Sequence, residues 1–173
     1  PLDSMDVIKN KMLSLAKENE IILDSNQLDQ FLMEYRTQAL GILKEVIKER
    51  STRVLATFDK NNEEEKVYRL SVSTLERITN PLIKLVDTSI RSLILSIVDE
   101  KITQIIAMED IEKEKIKNFK ISVIQYLKSV YLPNLKTDIK QKFLIRDYIL
   151  INVIKEQGNR YLFTEKHSRI YQV

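Results

Sequence analysis

Residues 82–106 read LIKLVDTSIRSLILSIVDEKITQII, an apolar stretch that charged residues interrupt at intervals. Its isoleucine, leucine and valine residues recur three or four positions apart, which is the spacing of one face of an α-helix. Leu82, Val86, Ile90, Leu93 and Ile97 mark that face, and Ile83, Ile94, Ile102 and Ile106 widen it. A helix with so wide an apolar face is buried on most sides. The sequence therefore predicts that this helix is the centre of the structure.

Two helices are predicted on the N-terminal side of this stretch. Residues 6–18 carry apolar side chains at helical spacing and form a short amphipathic helix. Asp24 or Ser25 then offers a side-chain oxygen that can cap the second helix. The apolar face of the second helix is formed by Leu28, Phe31, Leu32, Tyr35, Ala39, Ile42, Leu43 and Val46. Gly41 lies within this helix and lowers its stability by about 1 kcal/mol relative to alanine.

Further helices are predicted on both sides of Pro81. A polar break over residues 59–63 separates the second helix from one that runs to Asn80. Pro81 then either starts a new helix or kinks a long one. Residues 107–110 form a turn, and the helix that follows them is stopped by Pro133.

The pattern changes after residue 134. A short helix is predicted over residues 135–142, followed by residues 148–154, in which β-branched residues dominate and indicate a strand. Residues 157–159 form a glycine-containing turn, and residues 160–164 return as a second strand. Residues 170–173 are a candidate third strand.

The predicted fold class is therefore mainly α. We expect a bundle of about five amphipathic helices with a small C-terminal β-hairpin appendage. Residues 5–133 form a helical assembly domain, and residues 134–173 form a short linker helix and a small β-rich segment. No run of about 18 apolar residues that could cross a membrane interrupts this order.

The composition argues against most kinds of catalysis. The chain has no cysteine and two glycines, and His167 is its single histidine, so thiolate chemistry, phosphate-cradling loops and multi-histidine metal sites are excluded. The acidic group at Glu109, Asp110, Glu112 and Glu114 could collect a divalent metal, but helix-start electrostatics explains it without one. We expect a protein with no enzymatic activity, no cofactor and no metal. It would be cytoplasmic or nucleoid-associated, or nuclear in a eukaryote.

The positive charge is concentrated at the C-terminal end. The net charge is +3, and residues 134–173 carry 8 basic and 4 acidic side chains. Candidate nucleic-acid-binding residues are Lys136, Lys140, Lys142, Arg146, Arg160, Lys166 and Arg169. Aromatic residues lie between them, so the segment could follow phosphates and stack on bases. The alternative is that the strands need aromatics for packing and lysines to protect their edges.

The apolar helix faces are chiefly core, but their total surface is large for one core. Surplus apolar surface of this kind is typical of subunit interfaces. Candidate partner-binding residues are Leu28, Phe31, Leu32, Tyr35, Ile90, Ile94 and Ile97.

The order of these segments is similar to that of a known family. The similarity starts with MDVIK at residues 5–9, and LDQFL at 28–32 opens the second helix. The long helix LIKLV…IRSLILSIV follows at 82–98, and MEDIEKEK at 108–115 opens the next helix. DYILINVIK at 147–155 begins the last segment. This pattern resembles archaeal GINS subunits of the class with an N-terminal helical domain and a small C-terminal β domain.

The resemblance implies a non-enzymatic DNA replication factor. GINS subunits assemble through their helical domains into a tetramer that bridges the MCM helicase to a Cdc45- or RecJ-like protein and activates unwinding. The partners expected here are other protein subunits in a homo- or hetero-oligomer, with DNA as a weaker possibility. In this reading the basic residues of the β segment contact a partner or DNA. The alternative function is a small nucleic-acid-binding or adaptor protein that uses the basic C-terminal segment.

Overall fold

The computed structural model describes residues 5–65 and 71–157, and within them the side chains of 5–58 and 71–148. These residues are all-α, in agreement with the predicted helical class. The helices are α1 (Met5–Glu18), α2 (Ser25–Glu65), α3 (Val72–Lys101), α4 (Lys113–Tyr126) and α5 (Leu132–Gln157). A 3₁₀ turn at Ile102–Ile105 extends α3, and a π turn at Leu127–Tyr131 joins α4 to α5. The described part of the chain thus forms four continuous helical runs.

This count corrects the predicted five helices. Helix α2 continues through the polar residues 59–63, where a break was predicted, and α3 runs uninterrupted through Pro81. Pro133 does not stop the last helical run, which continues from the π turn through Pro133 into α5. In the π turn before it, the N–H of Leu132 donates to the carbonyl oxygen of Leu127.

The predicted first β-strand is also helical. Residues 148–154 belong to α5, which extends to Gln157. Their β-branched residues favour a strand only weakly, and tertiary packing routinely overrides such a preference. The turn was predicted at 157–159, but Gln157 is the last residue of α5. The rest of that turn and the strands predicted at 160–164 and 170–173 lie outside the described residues. The division into domains at residue 133 stays a prediction.

Two compact units can be distinguished in the chain. Among the described residues, unit 1 comprises 5–43 and 87–136, and unit 2 comprises 44–65, 71–86 and 137–157. The core of unit 1 includes Ile8, Met12, Leu28, Tyr35, Ile90, Ile94, Ile102, Phe119 and Leu127. The core of unit 2 includes Val46, Val54, Phe58, Leu75, Leu82, Val86, Ile139 and Phe143. The apolar face predicted from residues 82–106 is therefore buried, as expected, except for Ile106, which is half-buried.

Unit 1 contains a short antiparallel pairing of two connecting segments. Leu23 and Ile106 form an isolated β-bridge. The N–H of Asp24 donates to the carbonyl oxygen of Ile105 at 2.7 Å, and the N–H of Ala107 donates to that of Ile22 at 2.8 Å. The Oδ1 atom of Asp24 also accepts the N–H of Gln27 at 2.9 Å, which confirms the predicted cap of α2.

Candidate protein-binding cleft

Unit 2 contains a cleft of about 530 Å³. One wall is the N-terminal part of α3 and the other is residues 140–148 of α5. It is lined by Arg50 of α2, by Val72, Leu75, Glu76, Thr79 and Asn80 of α3, and by Lys140, Phe143, Leu144, Asp147 and Tyr148 of α5. Its volume is that of a typical ligand or side-chain pocket.

A buried ion pair stands among the lining residues. The Nη2 atom of Arg50 lies 2.6 Å from Oδ2 of Asp147, and the two side chains are 1% and 8% exposed. The Nε atom of Arg50 donates to Oγ1 of Thr79 at 2.9 Å. The guanidinium carbon also lies 4.4 Å from the ring centre of Phe143. One arginine therefore connects α2 to both α3 and α5.

The ion pair is only partly satisfied. The Nη1 atom of Arg50 and the Oδ1 atom of Asp147 have no hydrogen-bond partner among the described residues, and each exposes less than 1 Å². A group that enters the cleft cannot reach these two atoms while both side chains keep their positions. The pair is thus a structural element of unit 2, and the accessible binding surface is formed by the residues around it.

Exposed apolar side chains surround the cleft. Leu144, Ile145 and Tyr148 on α5 are 63%, 60% and 69% exposed, and Val72 on the opposite wall is 65% exposed. We call Leu144, Ile145 and Tyr148 the α5 stripe. Single exposed apolar residues are ordinary, but three large ones within five positions beside a cleft are typical of an interaction site.

The structure separates the predicted nucleic-acid-binding residues into groups. Lys136 is in unit 1, where its Nζ atom lies 2.7 Å from Oδ1 of Asp87. Lys140 lines the cleft, Lys142 is exposed, and Arg146 is half-buried. These three residues lie within a few positions of the α5 stripe. Lys136 is also in α5, but it is eight residues before Leu144 and belongs to unit 1. Outside the described residues are Arg160, Lys166 and Arg169.

The predicted partner-binding residues all lie inside unit 1. None of the seven is more than 4% exposed: Leu28, Phe31, Leu32, Tyr35, Ile90, Ile94 and Ile97. They form part of the core, and their contact with a partner subunit stays a prediction. The exposed apolar residues of the chain are at other positions.

The sequence contained a signal for the ion pair that the prediction of a strand concealed. Asp147 follows Phe143 by four residues, on the apolar face of α5. Arg50 likewise lies four residues from both Val46 and Val54, which are buried. Each charged residue interrupts an apolar repeat, and a charge in that position needs a buried partner of opposite sign.

Two structural findings and the comparisons complete the description of the site. Among the side chains of residues 5–58 and 71–148, no group of three or more His, Cys, Asp or Glu could hold a metal ion. None of the helices in these ranges has the length and apolar content to span a bilayer. Compared with known proteins, the chain matches no family model, no curated protein and no solved structure.

Proposed function

We propose that the protein is a non-enzymatic assembly subunit that binds a helix of a partner protein at the cleft of unit 2. The observation that supports this function is the exposure of Leu144, Ile145 and Tyr148, each at least 60%. Covering apolar surface of this kind is favourable by about 25 cal/mol per Å². A groove between two helices suits a third helix, whose apolar side chains at helical spacing enter it.

A finer proposal concerns the process that the complex serves. The resemblance to archaeal GINS subunits would make the protein part of the DNA replication machinery. Its partners would then be other GINS subunits, the MCM helicase or a Cdc45- or RecJ-like protein. The support for this step is the order and apolar spacing of the sequence segments.

Site-specific crosslinking tests both proposals. A photoreactive phenylalanine analogue would replace Leu144 in one variant and Leu85 in another, in cells that make the protein naturally. Leu85 is the matched control, since it is a leucine of unit 2 that is 50% exposed and does not line the cleft. We expect a discrete protein adduct from position 144 and a much weaker one from position 85.

The two proposals have separate outcomes. Equal labelling from both positions, or adducts with nucleic acid alone, would contradict binding of a partner protein at the cleft. A specific adduct identified by mass spectrometry as a GINS or helicase component would support the replication role. A specific adduct with an unrelated protein would leave the assembly function standing and remove the replication role.

A further inference from the structure

We infer that the partner helix carries acidic residues along both edges of its apolar face. This inference rests on the proposed function and specifies the chemistry of the partner. It follows from the arrangement of charge around the α5 stripe and from the lack of ion pairs between its basic residues and the other described residues.

The basic residues border the α5 stripe on two sides. Successive residues of an α-helix are about 100° apart around its axis. Viewed along α5, Leu144 and Tyr148 lie roughly 40° and 80° from Lys140, and Ile145 lies roughly 140° from it. Lys142 and Arg146 follow at roughly 200° and 240°. Lys140 therefore stands at one edge of the stripe, and Lys142 and Arg146 stand at the other.

These cations are not paired with a carboxylate of any described residue. No ion pair joins Lys140, Lys142 or Arg146 to another described residue. Four lysines of unit 1 do have a carboxylate within 4.0 Å: Lys9, Lys115, Lys120 and Lys136. Two carboxylates lie near the stripe. Glu76 lines the opposite wall of the cleft, and Asp138 lies roughly 160° from Lys140 around α5, beside Lys142. The three cations outnumber these two carboxylates, so the charge around the stripe is positive on balance.

Arg146 provides an independent sign that an acceptor is missing. Its Nη1 atom is buried and has no hydrogen-bond partner among the described residues. An unsatisfied N–H of a charged group is costly, and a carboxylate is its strongest common acceptor. Because this atom exposes less than 1 Å², a partner carboxylate can pair with it only when the Arg146 side chain turns outward to the edge of the stripe.

The same arrangement distinguishes among three occupants. A nucleic acid would neutralise the cations, but its phosphates would leave the apolar side chains of the stripe uncovered. A second copy of the chain would bring like charges together, which opposes association. A helix with an apolar face and acidic edges satisfies both the stripe and its borders.

Three synthetic peptides of about five helical turns test the inference. The first has leucine at helical spacing with glutamate on both flanks. The second replaces each glutamate with lysine, and the third has the composition of the first with its leucines spread around the helix. Binding of each labelled peptide to the full chain would be measured by fluorescence anisotropy at about 50 mM and about 500 mM salt. A labelled DNA oligonucleotide would be titrated in parallel.

We expect the acidic amphipathic peptide to bind at least about tenfold more tightly than either of the others, and to weaken at high salt. Leu144→Gln with Tyr148→Gln should weaken its binding about tenfold or more. Lys140→Glu with Lys142→Glu should also weaken binding of the acidic amphipathic peptide about tenfold or more, and should remove the dependence of that binding on salt. The controls Leu85→Gln and Lys44→Glu with Lys48→Glu change exposed residues of unit 2 outside the cleft lining and should bind normally.

The other possible outcomes contradict either the inference alone or both the inference and the proposed function. Equal binding of the acidic and basic amphipathic peptides would overturn the inference and leave the assembly function intact. Failure of all three peptides would contradict both. Binding of DNA alone, lost in the charge-reversal variant, would contradict both and assign α5 to nucleic-acid binding. Circular dichroism of each variant verifies that the helical fold is retained.

Discussion

Arg50 and Asp147 are 97 residues apart in the chain, yet the Nη2 atom of Arg50 lies 2.6 Å from the Oδ2 atom of Asp147 inside unit 2. The loss of stability should depend on whether one of the two charges is removed or both. Removing one charge leaves the other buried without compensation, whereas removing both leaves an apolar site.

We therefore expect Asp147→Ala to lower the free energy of unfolding by about 3–5 kcal/mol. Arg50→Met together with Asp147→Leu should recover most of that loss, because the apolar pair fills similar volume without a desolvated charge. Urea denaturation followed by circular dichroism measures both. Arg53→Met is the control, since the ion pair of Arg53 with Glu49 is about half exposed and is worth less than about 1 kcal/mol. A double variant as unstable as the single one would contradict this account.

Gly41 offers a stabilising substitution. It lies within α2, and a Cβ atom added there would meet no described heavy atom within 4 Å. Gly41→Ala should therefore raise the free energy of unfolding by about 1 kcal/mol, through helix propensity alone. Ala56→Gly, at an exposed position of the same helix, should lower it by about the same amount. Unchanged or reduced stability of Gly41→Ala, measured by thermal or urea denaturation, would show that the site has less room than described.

Acid should weaken unit 1 through Asp87. Its carboxylate accepts hydrogen bonds from Lys136 at 2.7 Å and from Arg91 at 2.8 Å. These contacts, chiefly that of Lys136, hold the pKa of Asp87 below its ordinary value of 3.8. Below that pH the unfolded chain binds this proton more readily than the folded chain does. The stabilisation is therefore complete above pH 3.8 and is lost as the pH falls towards the lower folded-state pKa.

The measurement is the free energy of unfolding as a function of pH for the wild type and Asp87→Asn. The difference between them should be constant near neutrality and should shrink as the pH falls below about 4. Lys136→Met should reduce the same acid-dependent part. A difference that stays constant down to the lowest pH would contradict the assignment to Asp87.

Alkali should act on two buried tyrosines of unit 1. The rings of Tyr35 and Tyr131 lie 5.8 Å apart in an edge-on arrangement. Burial is the main cause that raises the pKa of each phenol above its ordinary value of 10.0. Above pH 10.0 the unfolded chain releases these protons while the folded chain still holds them. The contribution of the two phenols to the free energy of unfolding is therefore complete below pH 10.0 and declines above it.

Tyr35→Phe should therefore make stability less sensitive to pH above about 10 than it is in the wild type. Denaturation at a series of alkaline pH values gives the slope. Absorbance near 295 nm would show tyrosinate appearing together with unfolding for the buried phenols. If the variant and the wild type lose stability equally steeply, Tyr35 does not contribute.

The sequence predicts helices well and their ends less well. Asp24 as the cap of α2 and the buried face of α3 follow from local spacing, and both are confirmed. The prediction of a strand at 148–154 was wrong because β-branched residues favour a strand only weakly. The residues just before them already have helical apolar spacing, and the helix continues through them. The buried spacing of Ile139, Phe143 and Asp147 is helical, and α5 runs on through this segment.

The cleft could not be predicted from local patterns. It depends on the side-by-side placement of residues 72–80 and 140–148, which are far apart in the chain. The exposed state of Leu144 and Tyr148 likewise depends on which side of α5 meets the core. Periodicity identifies an apolar residue, but tertiary packing decides whether that residue is covered.

The π turn at Leu127–Tyr131 has a consequence for the evolution of the chain. Phe119, Val123, Leu127, Tyr131 and Leu135 are all buried at intervals of four residues. In a regular α-helix such a repeat drifts by about 40° at each step, and the extra residue held in the wide turn takes back much of that drift. The π turn thus corrects the phase of the last helical run. The exposed residues Ser129 and Val130 can change in identity, and the deletion of either one would turn the wide turn into regular α-helix with the core positions on both sides still on one face.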